Sequence, residues 1–334
     1  MAKIAVCQQD VRMRIGLLGT GYWAATTLAV ALAAHREIVF AGVWGRDPAK
    51  AASLAARHGV RAYGDLDALL DDVDAVAVAL PPDVQAELAL RAAHAGKHLL
   101  LDKPLALTVD AADRLVEAVE ARRLASLVFF TNRFVPSVAA FLRDAGTTGG
   151  WYAAHGTMYA SIFQPGNPYG DSVWRKRHGG LWDLGPHALS VLLPLLGPVA
   201  EVNAADGPRE TVHLLLRHHG GAASTVSLTL DAAPDATAFT VAYFGEHGAT
   251  VLPTIDVTLA HAYGVAIDAL LAQVASAAAD ESQLAHGNAI PARAVADVMP
   301  AHACDARFGR DVVAILDAAD RARREHRIVP VAVV

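Results

Sequence analysis

Apolar positions in the first 130 residues fall into short runs separated by segments of helical periodicity. Residues 14–18, 38–44, 61–63, 74–80, 98–101 and 126–130 read as strands. The stretches 20–35, 48–58, 66–70, 83–95 and 107–123 read as helices. Residues 74–80 are apolar on both faces, as expected of a parallel strand covered on each side. The punctuation agrees with this pattern. Asp47 is an N-cap ahead of Pro48, Gly59 closes that helix, Pro81-Pro82 stops a strand, and Thr108 or Asp110 caps a later helix. So regular an alternation predicts a doubly wound parallel α/β sheet.

The pattern changes after Phe134. A helix over 136–144 and a Gly149-Gly150 loop lead into strands at 151–160, 199–205, 211–218, 222–230, 238–244 and 249–252, interrupted by a helix at 181–196. His219-Gly220-Gly221 is a hairpin signal. Helices at 264–279, 291–302 and 305–326 and an apolar strand at 328–333 close the chain. The prediction is an N-terminal Rossmann-type domain over 1–134 and a C-terminal α+β domain over 135–334, built on a large, open, mainly antiparallel sheet. Residues 1–11 read as an extension, and the sequence leaves Met1 and Met13 both open as starts.

Composition narrows the class. The 334 residues are 54% hydrophobic and 19% charged, which excludes a disordered chain and leaves room for two domains. The net charge is −6 and the basic residues are scattered, so no nucleic-acid groove is expected. Cys7 and Cys304 form no disulfide framework, and the histidines show no metal-ligand spacing. No apolar run is expected to span a bilayer. No signal-peptide pattern is visible, and the expectation is a cytoplasmic protein without metal.

The candidate chemistry begins at Gly19-Thr20-Gly21-Tyr22-Trp23-Ala24. Gly19, Gly21 and Ala24 fill the three small positions of the dinucleotide fingerprint between a strand and a helix. A pyrophosphate would sit on the free N–H groups of that helix. A strand–helix turn that binds nothing is the alternative. The second strand ends at Gly45-Arg46, where an NAD-binding fold carries an Asp or Glu for the ribose 2′-hydroxyl. An arginine there would pair with a 2′-phosphate, which favours NADP, with NAD possible if Arg46 only faces solvent.

Lys103, in Asp102-Lys103-Pro104, lies just beyond the end of a parallel strand, on the edge of the sheet where ligands bind. In Gly179-Gly180-Leu181-Trp182-Asp183-Leu184-Gly185-Pro186-His187, Asp183 and His187 are four apart and would share one helical face. A carboxylate and an imidazole so placed can hold a hydroxyl and move its proton. A surface lysine, a capping Asp183 and a packed His187 are the plain readings of each feature alone.

Together these residues resemble the Gfo/Idh/MocA oxidoreductases, the group of glucose–fructose oxidoreductase and inositol dehydrogenase. The family's Glu-Lys-Pro appears as Asp102-Lys103-Pro104 after Ala95-Gly96-Lys97-His98. Its second motif appears as Gly179-Gly180 and Asp183-Leu184-Gly185-Pro186-His187, preceded by Trp174-Arg175. The resemblance implies hydride transfer between a nicotinamide and a sugar-like or cyclitol alcohol or ketone, in a cleft between the two domains. It makes Lys103, His187 and Asp183 catalytic: Lys103 polarises the substrate oxygen, His187 exchanges the proton, and Asp183 binds a hydroxyl or orients His187. Leu80, Pro81 and Asp102 would border the cofactor, with Gly19, Thr20, Gly21, Tyr22, Trp23, Gly45 and Arg46. Trp174 and Arg175 would border the substrate, and Asn132-Arg133 would face the cleft. It also implies a homodimer or homotetramer through the second sheet. A non-catalytic sensor, or a hydrolase or lyase that uses a held nicotinamide, are the other roles known on this fold. Three departures stand out: Asp102 for Glu, Gln85 for a His after the Pro-Pro turn, and Ser190 for a second Asp.

Overall fold

The computed structural model describes residues 12–285 and 304–332. The extension over 1–11 with Cys7, and the helix expected at 291–302, lie outside the described residues. Six parallel strands form the first sheet: β1 (Met13–Leu18), β2 (Ile38–Trp44), β3 (Arg61–Tyr63), β4 (Ala75–Val78), β5 (His98–Asp102) and β6 (Ser126–Phe129). Their order, β3-β2-β1-β4-β5-β6, is that of a Rossmann sheet. β4 is wholly buried, as its unbroken apolar run requires.

Helices cover both faces. They are α1 (residues 22–34, with a π turn over Ala24–Leu28), α2 (Pro48–His58), α3 (Leu66–Asp71), α4 (Pro82–His94) and α5 (Val109–Ala121). Asp47 caps α2 through Ala49 and Lys50 N–H, and Gly59 ends it at φ 64°. Thr108, rather than Asp110, caps α5 by accepting from Ala111 N. The crossover between β1 and β4 splits the sheet, and ligands bind beyond the strand ends at such a point.

The second sheet has seven strands. They are β7 (Trp151–Tyr159), β8 (Val199–Asp206), β9 (Val212–His218), β10 (Ala223–Thr229), β11 (Ala238–Gly245), β12 (Gly248–Val251) and β13 (Val329–Pro330). They run in the order β12-β11-β7-β10-β9-β8-β13, all antiparallel except the central β7–β10 pair. The expected hairpin joins β9 and β10, closed by Gly221 N donating to His218 O at 2.9 Å. One face of this sheet is covered by α8 (Gly185–Leu196), which follows α6 (Pro136–Thr148) and α7 (Val173–Asp183).

Two helices return to the first domain. α9 (Leu259–Ala285) starts five residues earlier than the sequence pattern suggests. Thr258 supplies its first turn, its hydroxyl accepting from His261 N and its carbonyl from Ala262 N, and the helix runs on through Gly264. It is long and apolar enough to cross a bilayer, contrary to expectation. Its apolar stripe, Ala262, Tyr263, Ala266, Ile267 and Leu270, is buried, with Tyr263 against Phe129 of β6. α10 (Ala306–Glu325) wedges between α5 and β8. Its buried Arg310 pairs with Asp113 of α5 at 2.7 Å and donates to Ala332 O at 3.1 Å.

Candidate active site

The C-terminal ends of β1, β4, β5 and β6 face β7, α7 and α8 across a cavity of about 430 Å³. Of the expected cofactor residues, Gly21, Tyr22, Trp23, Leu80, Pro81, Asp102 and Lys103 line it. Gly19, Thr20, Gly45 and Arg46 lie outside the lining and shape its approach. Gly19 takes φ +129°, and a Cβ there would stand 2.4 Å from Ala79 O, so β1 and β4 can close on each other only with glycine. Gly45 is packed on Thr20, whose Cγ2 a Cβ would meet at 2.6 Å. Above Gly21 the space is open, with nothing within 4 Å of a Cβ position. Gly21 O accepts the first helical bond, from Ala25 N, so the N–H groups just beyond Gly21 have no acceptor within the helix. That open cradle of free donors fits a dinucleotide pyrophosphate. Arg46 is exposed and makes no hydrogen bond or ion pair among the described residues.

All five expected substrate residues line the cavity, but they divide into two groups. Lys103, Asp183 and Arg175 form one buried charge cluster. Lys103 Nζ donates to Asp183 Oδ1 at 2.6 Å and to Asp183 O at 2.8 Å, and Arg175 Nε donates to Asp183 Oδ2 at 2.7 Å. Burial alone would raise the Asp183 carboxyl, but the Lys103 and Arg175 charges outweigh it and hold the group well below the usual carboxylate range. Arg175 lies between the rings of Trp174 and Tyr169, at 4.7 and 4.8 Å. Arg175 thus bonds Asp183 through Nε while its guanidinium lines the cavity.

His187 stands apart from the cluster. The single helix expected over 181–196 is two: α7 ends at Asp183 and α8 begins at Gly185. Leu184 between them keeps right-handed helical dihedrals (φ −97°, ψ −31°) and both residues line the cavity, yet among the described residues no hydrogen bond joins them. Burial, then the Lys103 charge, lowers the His187 imidazole to about 3. It is neutral at pH 7, with a lone pair to accept a proton. At the break Pro186 has no N–H to give, and Asp183 O accepts from Lys103 Nζ instead of from the helix; the glycines act earlier, within α7. Gly179 takes φ 63° inside α7, and a Cβ on Gly180 would stand 3.2 Å from the Thr229 backbone at the end of β10. Ser190, the third departure, is fully buried and donates to His187 O at 2.8 Å. Asn132 lines the cavity, whereas Arg133 does not: it turns away and donates to Ser190 O at 3.1 Å.

Gln85 is the residue whose role the sequence did not disclose. It is fully buried. Its Nε2 donates to Asp102 O at 2.6 Å and Pro104 O at 3.1 Å, and its Oε1 accepts from Asp102 N at 2.9 Å. One side chain thus holds the backbone on both sides of Lys103. The only signal was position, one turn into a helix whose start faces the end of β5. Tyr169 was missed as well. Its ring packs edge-on against Tyr22 of the fingerprint at 5.5 Å, and burial lifts its phenol to about 12.

Two outcomes follow from this geometry. Gln85→Leu leaves buried Asp102 backbone groups unpaired and should lower the unfolding free energy in urea by about 3 kcal/mol. It should also lower kcat, because Lys103 loses its fixed backbone; unchanged stability and kcat would contradict the clamp. Burial lifts the Asp102 carboxyl to about 6, against the pull of Lys103. A raised folded-state value means that the folded protein holds this proton more tightly, a stabilisation present at low pH and lost as pH rises toward 6. The stability of Asp102→Asn relative to wild type should therefore rise between pH 4 and 7, by about 2 kcal/mol. Urea titrations across that range test the sign, and a falling difference refutes it.

Comparison with known proteins agrees with this architecture. The model of the Gfo/Idh/MocA oxidoreductase family, with an NAD-binding Rossmann fold, matches residues 13–130. A dTDP-3,4-didehydro-2,6-dideoxy-alpha-D-glucose 3-reductase of Streptomyces antibioticus is 34% identical over 194 residues, which are 56% of this chain and 58% of that protein. An inositol 2-dehydrogenase of Saccharopolyspora erythraea is 33% identical over 205 residues, 60% of this chain and 58% of that protein. The chain thus spans 58% of the length of either relative. The solved levoglucosan dehydrogenase, in complex with NADH and L-sorbose, superposes with a TM-score of 0.75 at 20% identity, covering 96% of this chain and 99% of that one. Residues 13–130 thus match the model of the Gfo/Idh/MocA oxidoreductase family, and the chain as a whole has the two-domain fold of that solved structure.

Proposed function

We propose that this protein is an NAD(P)-dependent dehydrogenase or reductase acting on the CH–OH carbon, or the matching ketone, of a sugar-like or cyclitol substrate. The observation that carries the reading is the convergence of Lys103 and His187 on one cavity at the ligand-binding edge of the sheet. The names of the relatives, which act on sugars or inositol, support the substrate class. The fingerprint from Gly19 to Trp23 would hold the pyrophosphate, and Leu80, Pro81 and Asp102 would border the nicotinamide. When bound, the nicotinamide gives or takes the hydride.

The chain's own residues manage the oxygen and its proton. Lys103 Nζ keeps one N–H beyond its two bonds to Asp183, and that donor would orient the substrate oxygen. The ammonium itself favours alkoxide character on that oxygen, and with Asp102 protonated the two cations face a single carboxylate and leave a net positive charge. Neutral His187 takes the hydroxyl proton in oxidation and, once charged, returns it in reduction. Asp183 fixes Lys103 rather than contacting the proton. Lys103→Met and His187→Ala should each lower kcat by about 10³-fold while leaving cofactor affinity within a few-fold. Steady-state kinetics paired with calorimetric titration of the cofactor tests this, and full activity in either variant refutes its assigned role.

NADP is the favoured cofactor in this proposal, because the exposed Arg46 guanidinium has no competing partner. Charge-assisted pairing of this kind makes Arg46→Ala about 10- to 100-fold weaker for NADPH and nearly unchanged for NADH. Equal losses for both cofactors would remove Arg46 from the 2′-phosphate. Self-association through the second sheet is part of the same proposal. Leu215, His213, His155 and Thr225 are exposed on the sheet face away from α8.

A further inference from the structure

The wall that faces Lys103 from the second domain is mainly apolar. Ile162, Trp174, Phe239, Ile255 and Leu259 line it. Phe239 keeps 56% of its surface open, Ile255 45% and Leu259 38%. The charged groups beside this wall are already engaged. Lys103 and Arg175 are the only lysine and arginine lining the cavity among the described residues, and both are bonded to Asp183. Asn132, Tyr169, Ser172 and His187 also line the cavity, and its other polar side chains, Tyr22, Asp102 and Thr131, come from the first-domain side.

A hydroxyl pressed on an apolar wall loses its water partner without gaining another, whereas a methyl, methylene or aryl group gains by leaving water. A diphosphate carries two negative charges, more than the single positive charge that Lys103 and Arg175 keep beyond Asp183, and no other lysine or arginine lines the cavity among the described residues. We propose that the substrate is a neutral sugar-like alcohol or ketone that turns an apolar portion toward this wall. That portion is a deoxygenated ring edge or an alkyl or aryl substituent. A fully hydroxylated polyol or a nucleotide-linked sugar fits the wall less well. The proposal rests on the dehydrogenase reading above.

Calorimetry on the full chain tests it in two stages. NADPH and NADH are titrated first; if neither binds, the dehydrogenase reading fails, and this proposal with it. Sugars are then titrated with whichever reduced cofactor binds present at saturation, so that an alcohol cannot be oxidised. The matched pairs are D-glucose with 6-deoxy-D-glucose, D-galactose with 6-deoxy-D-galactose, and methyl with phenyl β-D-glucoside, beside myo-inositol and UDP-glucose. In at least one pair the less polar member should bind about ten-fold more tightly, and more tightly than myo-inositol or UDP-glucose. A gap in the 6-deoxy pairs points to the ring edge, and a gap in the glucoside pair to the substituent. The double variant Phe239→Asn, Ile255→Asn should shrink the gap to about two-fold without changing cofactor affinity. The proposal is overturned, with the dehydrogenase reading intact, if cofactor binds and no pair shows a gap. Tightest binding by myo-inositol or UDP-glucose, no sugar binding, or a gap that survives the double variant also overturns it.

Discussion

Lys103 belongs to the first domain and Asp183 to the second, and neither charge is stable in its buried position without the other. Their side chains are 10% and 6% exposed. Removing Asp183 leaves Lys103 an unmatched buried charge, which costs about 3–5 kcal/mol, whereas removing Lys103 leaves Asp183 with Arg175 alone. The 2.6 Å contact therefore fixes the C-terminal end of β5 to the C-terminal end of α7. Arg175 completes the carboxylate, and Tyr169 and Trp174 hold Arg175 from either side. The width of the cleft and the direction of the Lys103 ammonium follow from this cluster.

The supports of the cluster come from opposite directions. On the first domain Gln85 reaches from α4 to the backbone around Lys103, so an uncharged side chain presents a charged one. On the second domain the positive φ of Gly179 kinks α7, and Gly180 packs close to the end of β10, one turn before Asp183 meets Lys103. Further away, Arg310 on α10 ties α5 to the chain's last strand region, and α9 lays Tyr263 against Phe129. The last helices thus brace the first domain from the second.

Much of the first domain was legible because its determinants are local. β4 is an unbroken apolar run, Asp47, Gly59 and Thr108 mark helix ends within one turn, and the fingerprint needs only a strand before it and a helix after it. The second sheet was legible as strands but not as a topology. The pairing of β7 with β10 joins residues about 70 apart, and no local pattern encodes a parallel contact over that distance. The site was legible as a set of residues and not as a set of bonds. Spacing suggested that Asp183 and His187 share a helix, whereas Leu184 separates two helices between them. The Arg175 bond to Asp183 was not legible, because a sequence does not show which carboxylate an arginine meets. Gln85 was visible only as a departure from a family pattern, since an amide that serves backbone groups leaves no spacing signature.

The electrostatics divide the proton work between residues that look interchangeable in the sequence. Asp102 and Asp183 are both buried aspartates near Lys103, yet burial lifts one to about 6 while paired cations hold the other far below the normal range. The difference lies in partners. Asp183 receives two charged donors, whereas the hydrogen bond that Asp102 receives is from the Lys103 backbone N–H. Asp183 is therefore a fixed charge and Asp102 a group that titrates near neutrality beside the cofactor edge. His187 is kept neutral by burial and then by the same Lys103 that would stabilise alkoxide character on the substrate. In the proposed reaction a proton leaving a substrate hydroxyl would find an uncharged base and leave its electrons facing a cation. That pairing follows from where one lysine is anchored, and the lysine is anchored by Gln85 behind it and Asp183 in front.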